Sequence, residues 1–137
     1  CGFLIGFERQ YHGKPAGIRT SILVCMGAYV FVRVGWSYQE AMGGVRVLGQ
    51  LVTGIGFLGA GMMLSKEGIV HGVTSAAIVW ILAAIGSLIG FGNTGAAIAI
   101  SVAVLTVLLG IHQLERVFKF LSKGIYKRFK EDQKMDE

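Results

Sequence analysis

Residues 68–114 read GIVHGVTSAAIVWILAAIGSLIGFGNTGAAIAISVAVLTVLLGIHQL, and this stretch decides the fold. Its 47 residues include no Asp, Glu, Lys or Arg. A soluble domain of 137 residues has too little interior to bury a stretch like this. The stretch is also too long for one bilayer crossing, which needs about 20 apolar residues. Gly-Asn-Thr-Gly at 92–95 interrupts it, which predicts two membrane-spanning helices at 73–91 and 96–112.

The composition of the whole chain agrees with a membrane protein. Hydrophobic residues make up 53% of the chain and charged residues only 15%, whereas about a quarter of a soluble protein is charged. Twelve of the 21 charged residues lie in 115–137. The two cysteines form neither a disulfide framework nor a metal-binding motif. The sequence therefore predicts an all-α, polytopic transmembrane bundle.

Two more spans precede this stretch, at 47–64 and 20–36. Arg33 interrupts the far end of the earlier one, and its long side chain is expected to reach the headgroups. Residues 1–7 are predicted to be the end of a truncated first span. The predicted connections are loops at 8–19 and 37–46 and a short turn at 65–72.

The basic residues predict the orientation in the membrane. Eleven Lys and Arg residues lie in the loops 8–19 and 65–72 or after residue 112, and two lie on the opposite side. Cytoplasmic loops carry an excess of Lys and Arg, so those two loops and the C-terminus are predicted to be cytoplasmic. This rule accounts for the net charge of +5, and no nucleic-acid partner is expected.

The C-terminal segment 113–137 is predicted to form a basic amphipathic helix, separate from a membrane domain at 1–112. Apolar residues recur at spacings of three and four between lysines and arginines. Such a helix lies in the headgroup layer of an anionic leaflet or continues the last span into the cytoplasm. The pattern leaves both alternatives open.

Glycines are concentrated in the span 47–64. GIGFLG at 54–59 matches a dinucleotide-binding pattern, but it lacks the strand and the acidic residue that this motif requires. Small residues at membrane helix contacts instead let backbones approach closely. The residues predicted to pack in this way are Gly54, Gly56, Gly59 and Gly61, with further small-residue pairs at Gly2 and Gly6 and at Gly86 and Gly90.

No nucleotide-binding, zinc-protease or nucleophile-elbow motif is present in the sequence, and neither catalytic residues nor a cofactor is predicted. The polar candidates inside the spans are Gln50, Thr53 and Thr74. Since Mg²⁺ prefers carboxylate and water ligands and no span contains a carboxylate pair, metal ligands stay unassigned.

A set of charged residues lies near the predicted span boundaries. Its members are Glu8, Arg9, Lys14, Arg19 and Arg46. We interpret them as a candidate functional rim in which Glu8 and Arg9 form an ion pair and Arg19 caps the next helix or pairs with Glu8. The alternative is that all five only anchor the topology.

Four ordered blocks resemble the MgtC/SapB family of bacterial inner-membrane proteins. They are GFERQ at 6–10, KPAGIRT at 14–20, QLVTGIGFLGAG at 50–61 and GVTSAA at 72–77, followed by Trp80 and AAIG at 83–86. The resemblance implies a five-helix membrane domain and a role in survival at low magnesium and, in pathogens, inside macrophages. Some members of the family act on the membrane ATP synthase.

The chain departs from the family pattern at two positions. Ser21 stands where the family often has His, and Gly43 stands where it often has Asp. The soluble C-terminal domain of the MgtC type is not present in this sequence, which favours the shorter SapB-like form.

The sequence is compatible with two candidate functions of this protein. The first is a non-enzymatic modulator that binds other membrane proteins, with the ATP synthase as the partner implied by the resemblance, and that supports magnesium homeostasis. The alternative is a small transporter or channel for Mg²⁺ or another ion. The scarcity of carboxylates in the spans favours the modulator. The lipid bilayer is the expected environment, and a homo-oligomer is an open alternative.

Overall fold

The computed structural model describes residues 1–38, 40–66 and 69–117. In this described part, five helices and one β-hairpin follow one another along the chain. They are α1 (Gly2–Tyr11), α2 (Ile18–Tyr38), α3 (Glu40–Gly61), β1 (Leu64–Lys66), β2 (Ile69–His71), α4 (Val73–Gly90) and α5 (Thr94–Val117).

Four of these helices are long and apolar enough to cross a membrane, which confirms the predicted all-α fold. The segments are Ile18–Ser37, Gly43–Gly61, Val73–Gly90 and Thr94–Ile111. The break between α4 and α5 falls where the sequence predicts it. Gly92 adopts a φ of +82°, and Asn93 Oδ1 accepts a 3.3 Å hydrogen bond from the backbone N–H of Ala96 in the first turn of α5.

Two predicted connections are wrong. The loop expected at 37–46 does not form, because α3 already begins at Glu40 and includes Gly43 and Gly44. The turn expected at 65–72 is an antiparallel hairpin in which Leu64 lies opposite His71. This hairpin ends at Gly72, whose φ of +91° places a left-handed residue directly before α4.

The compact unit Cys1–Val102 has α2 and α4 at its centre. Helix α1 packs on α2, while α3 packs on both α2 and α4. The largest fully buried apolar side chains of this unit are Ile5, Val32, Val79, Leu82 and Ile85. Two buried serines of the spans satisfy their hydroxyls within their own helices: Ser87 Oγ donates to the carbonyl oxygen of Ala83 at 2.8 Å, and Ser101 Oγ donates to that of Ala97 at 2.7 Å.

The second unit is Ala103–Glu137, and its described part is the remainder of α5, which runs through Val117. The predicted tail helix 113–137 is therefore continuous with α5 over residues 113–117. Residues 118–137 lie outside the described part of the chain, so the boundary at 112 and the lipid-surface helix stay predictions.

Candidate functional site

Glycines hold α1 tightly against α2 and position the last turn of α1. A Cβ at Gly6 would lie 2.7 Å from Cα of Ile18 and 2.9 Å from Oγ of Ser21, closer than real Cβ contacts allow. A Cβ at Gly2 would lie 2.9 Å from the carbonyl oxygen of Ser21. The predicted close packing of this glycine pair is therefore confirmed, and it brings the charged end of α1 against the bundle.

The turn between α1 and α2 adds side-chain hydrogen bonds to this packing. Gln10 Oε1 accepts from the backbone N–H of Ile18 at 3.2 Å, at the first residue of α2. Ser21 Oγ donates to the carbonyl oxygen of Ala16 at 3.0 Å, and Ala16 holds a φ of +61°. The GFERQ and KPAGIRT segments thus form one connected turn.

Glu8 and Arg9 are both buried at this end of the bundle, with 8% and 4% of their surfaces exposed. Arg9 Nη2 donates a 2.6 Å hydrogen bond to Oγ of Ser75, in the first turn of α4. This bond joins the end of α1 to the beginning of α4. It places the turn after α1 and the connection before α4 at the same end of the bundle.

Glu8 contacts His12, which lies one helical turn further along the chain. His12 Nδ1 lies 3.0 Å from Oε1 of Glu8 and 2.9 Å from the Glu8 carbonyl oxygen. A carboxylate and a carbonyl oxygen both accept hydrogen bonds, so with Glu8 ionised Nδ1 carries the proton. His12 is not among the predicted rim residues, although its spacing of four residues from Glu8 places both on one face of a helix.

The ion pair predicted between Glu8 and Arg9 is not formed, because Glu8 pairs with His12 and Arg9 binds Ser75. The two neighbouring charges still influence each other electrostatically. Burial lowers the pKa of the Arg9 guanidinium, while the neighbouring Glu8 carboxylate opposes the shift. Helix N-termini carry partial positive charge and favour anions, so a guanidinium beside the first turn of α4 needs a nearby carboxylate. Within the described residues, Glu8 Oε2 and Arg9 Nε are buried without a hydrogen-bond partner.

The other members of the predicted rim do not join this pair. Lys14 and Arg19 are exposed, and Glu8 contacts His12 instead of the Arg19 predicted to pair with it. Arg46 is not in a loop; it lies in α3, just after the connection from α2, whereas Arg19 lies in the first turn of α2. The length of α2 therefore separates Arg46 from the charge pair.

The glycines of α3 that were predicted to pack make few close contacts when a Cβ is added to them. A Cβ at Gly59 would lie 3.7 Å from Cβ of Ala76, an ordinary contact. A Cβ at Gly54, Gly56 or Gly61 would meet no described atom within 4 Å, so no contact in the described part of the chain accounts for these three, and their role in helix packing stays a prediction. These three glycines are exposed on the bundle surface.

Two glycines of α4 make closer contacts than these, with α2. A Cβ at Gly86 would overlap the carbonyl oxygen of Cys25 and lie 2.9 Å from Cβ of Ala28. A Cβ at Gly90 would lie 2.9 Å from Val32. This pair, which the sequence also suggested, lets α4 approach the backbone of α2.

The predicted polar residues of the spans do not converge on a site. Gln50, Thr53 and Thr74 are all exposed, and Thr53 Oγ1 donates to the carbonyl oxygen of Gly49 in its own helix at 3.3 Å. Within the residues that the structure describes, no three His, Cys, Asp or Glu side chains are grouped so that they could hold a metal ion.

These helices and the buried pair between α1 and α4 define a polytopic helical membrane protein. The chain belongs to the MgtC family, whose family model matches residues 1–117. It is 40% identical over 134 residues to a protein of Escherichia coli K12 named "Putative magnesium transporter YhiD", covering 92% of this chain and 61% of that protein.

Two further relatives carry the name MgtC. The Brucella abortus protein is 40% identical over 119 residues, covering 87% of this chain and 50% of its own length. The Salmonella typhimurium LT2 protein is 41% identical over 104 residues, covering 76% of this chain and 45% of its own length. The chain thus spans about half the length of these relatives. No solved structure matches it.

Proposed function

We propose that this chain forms the membrane domain of a protein that supports magnesium homeostasis and survival when magnesium is scarce, by modulating other membrane proteins. The name of the Escherichia coli relative, which includes magnesium, supports this link. The domain would lie in the bacterial inner membrane with its C-terminus in the cytoplasm, as the distribution of Lys and Arg predicts. We assign it no enzymatic activity.

The observation that carries the proposal is the set of contacts that the buried side chains of Glu8 and Arg9 make. One carboxylate oxygen of Glu8 contacts His12, and the Arg9 guanidinium beside it binds Ser75. A conducted Mg²⁺ ion needs oxygen ligands that it can exchange, and a neighbouring guanidinium repels it. The pair is therefore better suited to fixing the position of α1 against α4 than to passing a cation.

A modulator acts through its surface, so its partners would be other proteins of the same membrane. The ATP synthase is the partner that the family resemblance implies, and a second copy of the chain is another. The buried pair would act by keeping that surface in one arrangement. The rim residues Lys14 and Arg19, exposed beside the same turn, would anchor the domain at the cytoplasmic headgroups.

One observation favours the second candidate, a small Mg²⁺ transporter or channel. Glu8 Oε2 is buried with no hydrogen-bond partner in the described part of the chain, and an unpartnered carboxylate oxygen is a ligand of the kind that Mg²⁺ uses. The relative from Escherichia coli also has a name that includes transport.

Growth at limiting magnesium tests the proposed role. A strain lacking the full-length protein should grow more slowly than its parent in micromolar Mg²⁺ and equally well in millimolar Mg²⁺. Wild-type protein and the exposed-residue control Arg19→Ala should restore growth, whereas Arg9→Ala should not, because it leaves Glu8 buried without its counter-charge. Equal growth of the deletion strain and its parent at limiting Mg²⁺ would contradict a role in magnesium homeostasis.

A further inference from the structure

A groove between α2 and α3 is a second feature of the bundle, separate from the buried residues Glu8 and Arg9. Its volume is about 840 Å³, and it is open along one side. Its lining residues are Phe31, Gly35, Gly43, Arg46, Val47, Gln50, Leu51, Gly54, Ile55 and Leu58. We propose that this groove binds one anionic phospholipid, with an acyl chain between the helices and the phosphate at Arg46.

The polarity of the groove changes along its length as that of a phospholipid does. Arg46 and Gln50 line it near the start of α3, whereas Leu51, Ile55 and Leu58 line it further along. Between Arg46 and Leu58, α3 rises by about 18 Å at 1.5 Å per residue. One leaflet of the hydrocarbon core is about 15 Å thick, half of a bilayer's 30 Å. The distance from Arg46 to the end of the groove at Leu58 is therefore similar to the depth of one leaflet.

Arg46 supplies a charge for the headgroup. Its side chain is exposed, and within the described residues its guanidinium forms no ion pair or hydrogen bond. An arginine can bind a phosphate through two parallel N–H donors, and the predicted orientation places Arg46 among the headgroups of the leaflet that faces away from the cytoplasm. An unpaired guanidinium at the headgroup end of an apolar groove thus favours an anionic lipid over a neutral one.

Two glycines give the groove its shape. At one end, a Cβ at Gly35 would lie 2.6 Å from Val47, so α2 and α3 touch closely there. Further along, a Cβ at Gly54 would meet nothing within 4 Å, which leaves the wall of the groove open. A side chain added at Gly54 would therefore begin in this free space.

Lipid binding by the full-length protein in mild detergent tests the proposal. Native mass spectrometry would follow titration with phosphatidylglycerol and phosphatidylcholine of identical acyl chains. Wild type should retain one phosphatidylglycerol with about tenfold preference, the size of one charge-assisted contact. Arg46→Gln should abolish the preference, and Gly54→Leu should weaken binding of both lipids. The matched controls are Arg33→Gln, an exposed arginine outside the groove, and Gly56→Leu, an exposed glycine outside it.

Each alternative occupant gives a different result. A preference that survives Arg46→Gln, or that Arg33→Gln abolishes equally, would overturn the assignment of the phosphate to Arg46. Failure of the wild type to retain any lipid would overturn the site. A dimer that Gly54→Leu dissociates without any change in lipid retention would show that a second copy occupies the groove.

Discussion

The guanidinium of Arg9 donates a 2.6 Å hydrogen bond to the hydroxyl of Ser75 across 66 positions of sequence. Both residues are buried, and Glu8 lies beside Arg9 as the compensating charge. The bond links the beginning of α4 to the end of α1. This bond and the glycine contacts with α2 together fix its end.

Removing the Arg9 side chain should destabilise the bundle strongly. Arg9→Ala leaves Glu8 buried without its counter-charge, which costs about 3–5 kcal/mol in the free energy of unfolding. Ser75→Ala removes one hydrogen bond to a charged donor and should cost about 1–3 kcal/mol. Unfolding of the purified protein in detergent measures both effects. Arg19→Ala is the control and should change the free energy by no more than about 0.5 kcal/mol.

Coupling between Glu8 and Arg9 gives a second test of the pair. Since each charge compensates the other, the double variant Glu8→Gln, Arg9→Gln should be more stable than the sum of the single changes implies, by about 1–3 kcal/mol. A double-mutant cycle of unfolding free energies measures this coupling. Additive effects would mean that the two side chains are buried independently.

The four spans could be predicted from the sequence because length and hydrophobicity alone decide them. The helical structure of residues 40–46, where a loop was predicted, could not. Gly43 and Gly44 look like helix breakers, yet a Cβ at Gly44 would lie 2.8 Å from Cε1 of Phe91 and 3.0 Å from the ring of Trp36. Glycine serves close packing here, inside a helix. Only the tertiary structure distinguishes a glycine that packs inside a helix from a glycine in a turn. The incorrectly predicted loop also included Arg46, which lies in α3.

The candidate site was predictable in part. Adjacent charges after an apolar stub indicated that Glu8 and Arg9 were unusual, but their partners depend on long-range packing. Ser75 looks like any other serine in a span, and the His12 contact depends on how α1 ends. The glycines show the same limit, since the sequence does not tell which of them faces a neighbouring helix.

Glycine substitutions should separate contact positions from open ones. Gly86→Ala places a Cβ against the carbonyl oxygen of Cys25 and should destabilise the bundle by about 1–3 kcal/mol through overpacking. Gly56→Ala meets open space and should be neutral or stabilising by up to about 1 kcal/mol, because alanine favours helix more than glycine does. Thermal unfolding in detergent ranks the two. Equal destabilisation by both would contradict the exposed position of Gly56.

Cysteine labelling in intact cells tests the proposed orientation. Tyr11 and Val70 are exposed at the end of the bundle that carries the charge pair, and Asn93 is exposed between α4 and α5. In a background with Cys1 and Cys25 replaced by Ala, a membrane-impermeant maleimide should label Asn93→Cys directly. It should label Tyr11→Cys and Val70→Cys only after permeabilisation. The reverse pattern would invert the topology.

Mg²⁺ uptake into sealed liposomes containing the full-length protein tests most directly whether the domain modulates other proteins or conducts the ion itself. An indicator trapped inside reports uptake, and an ionophore added at the end verifies its response. For a modulator, uptake should equal that of protein-free vesicles and should not change in Glu8→Gln. Saturable uptake above protein-free vesicles, lost in Glu8→Gln and retained in the exposed-residue control Arg19→Ala, would contradict the modulator and establish a transporter.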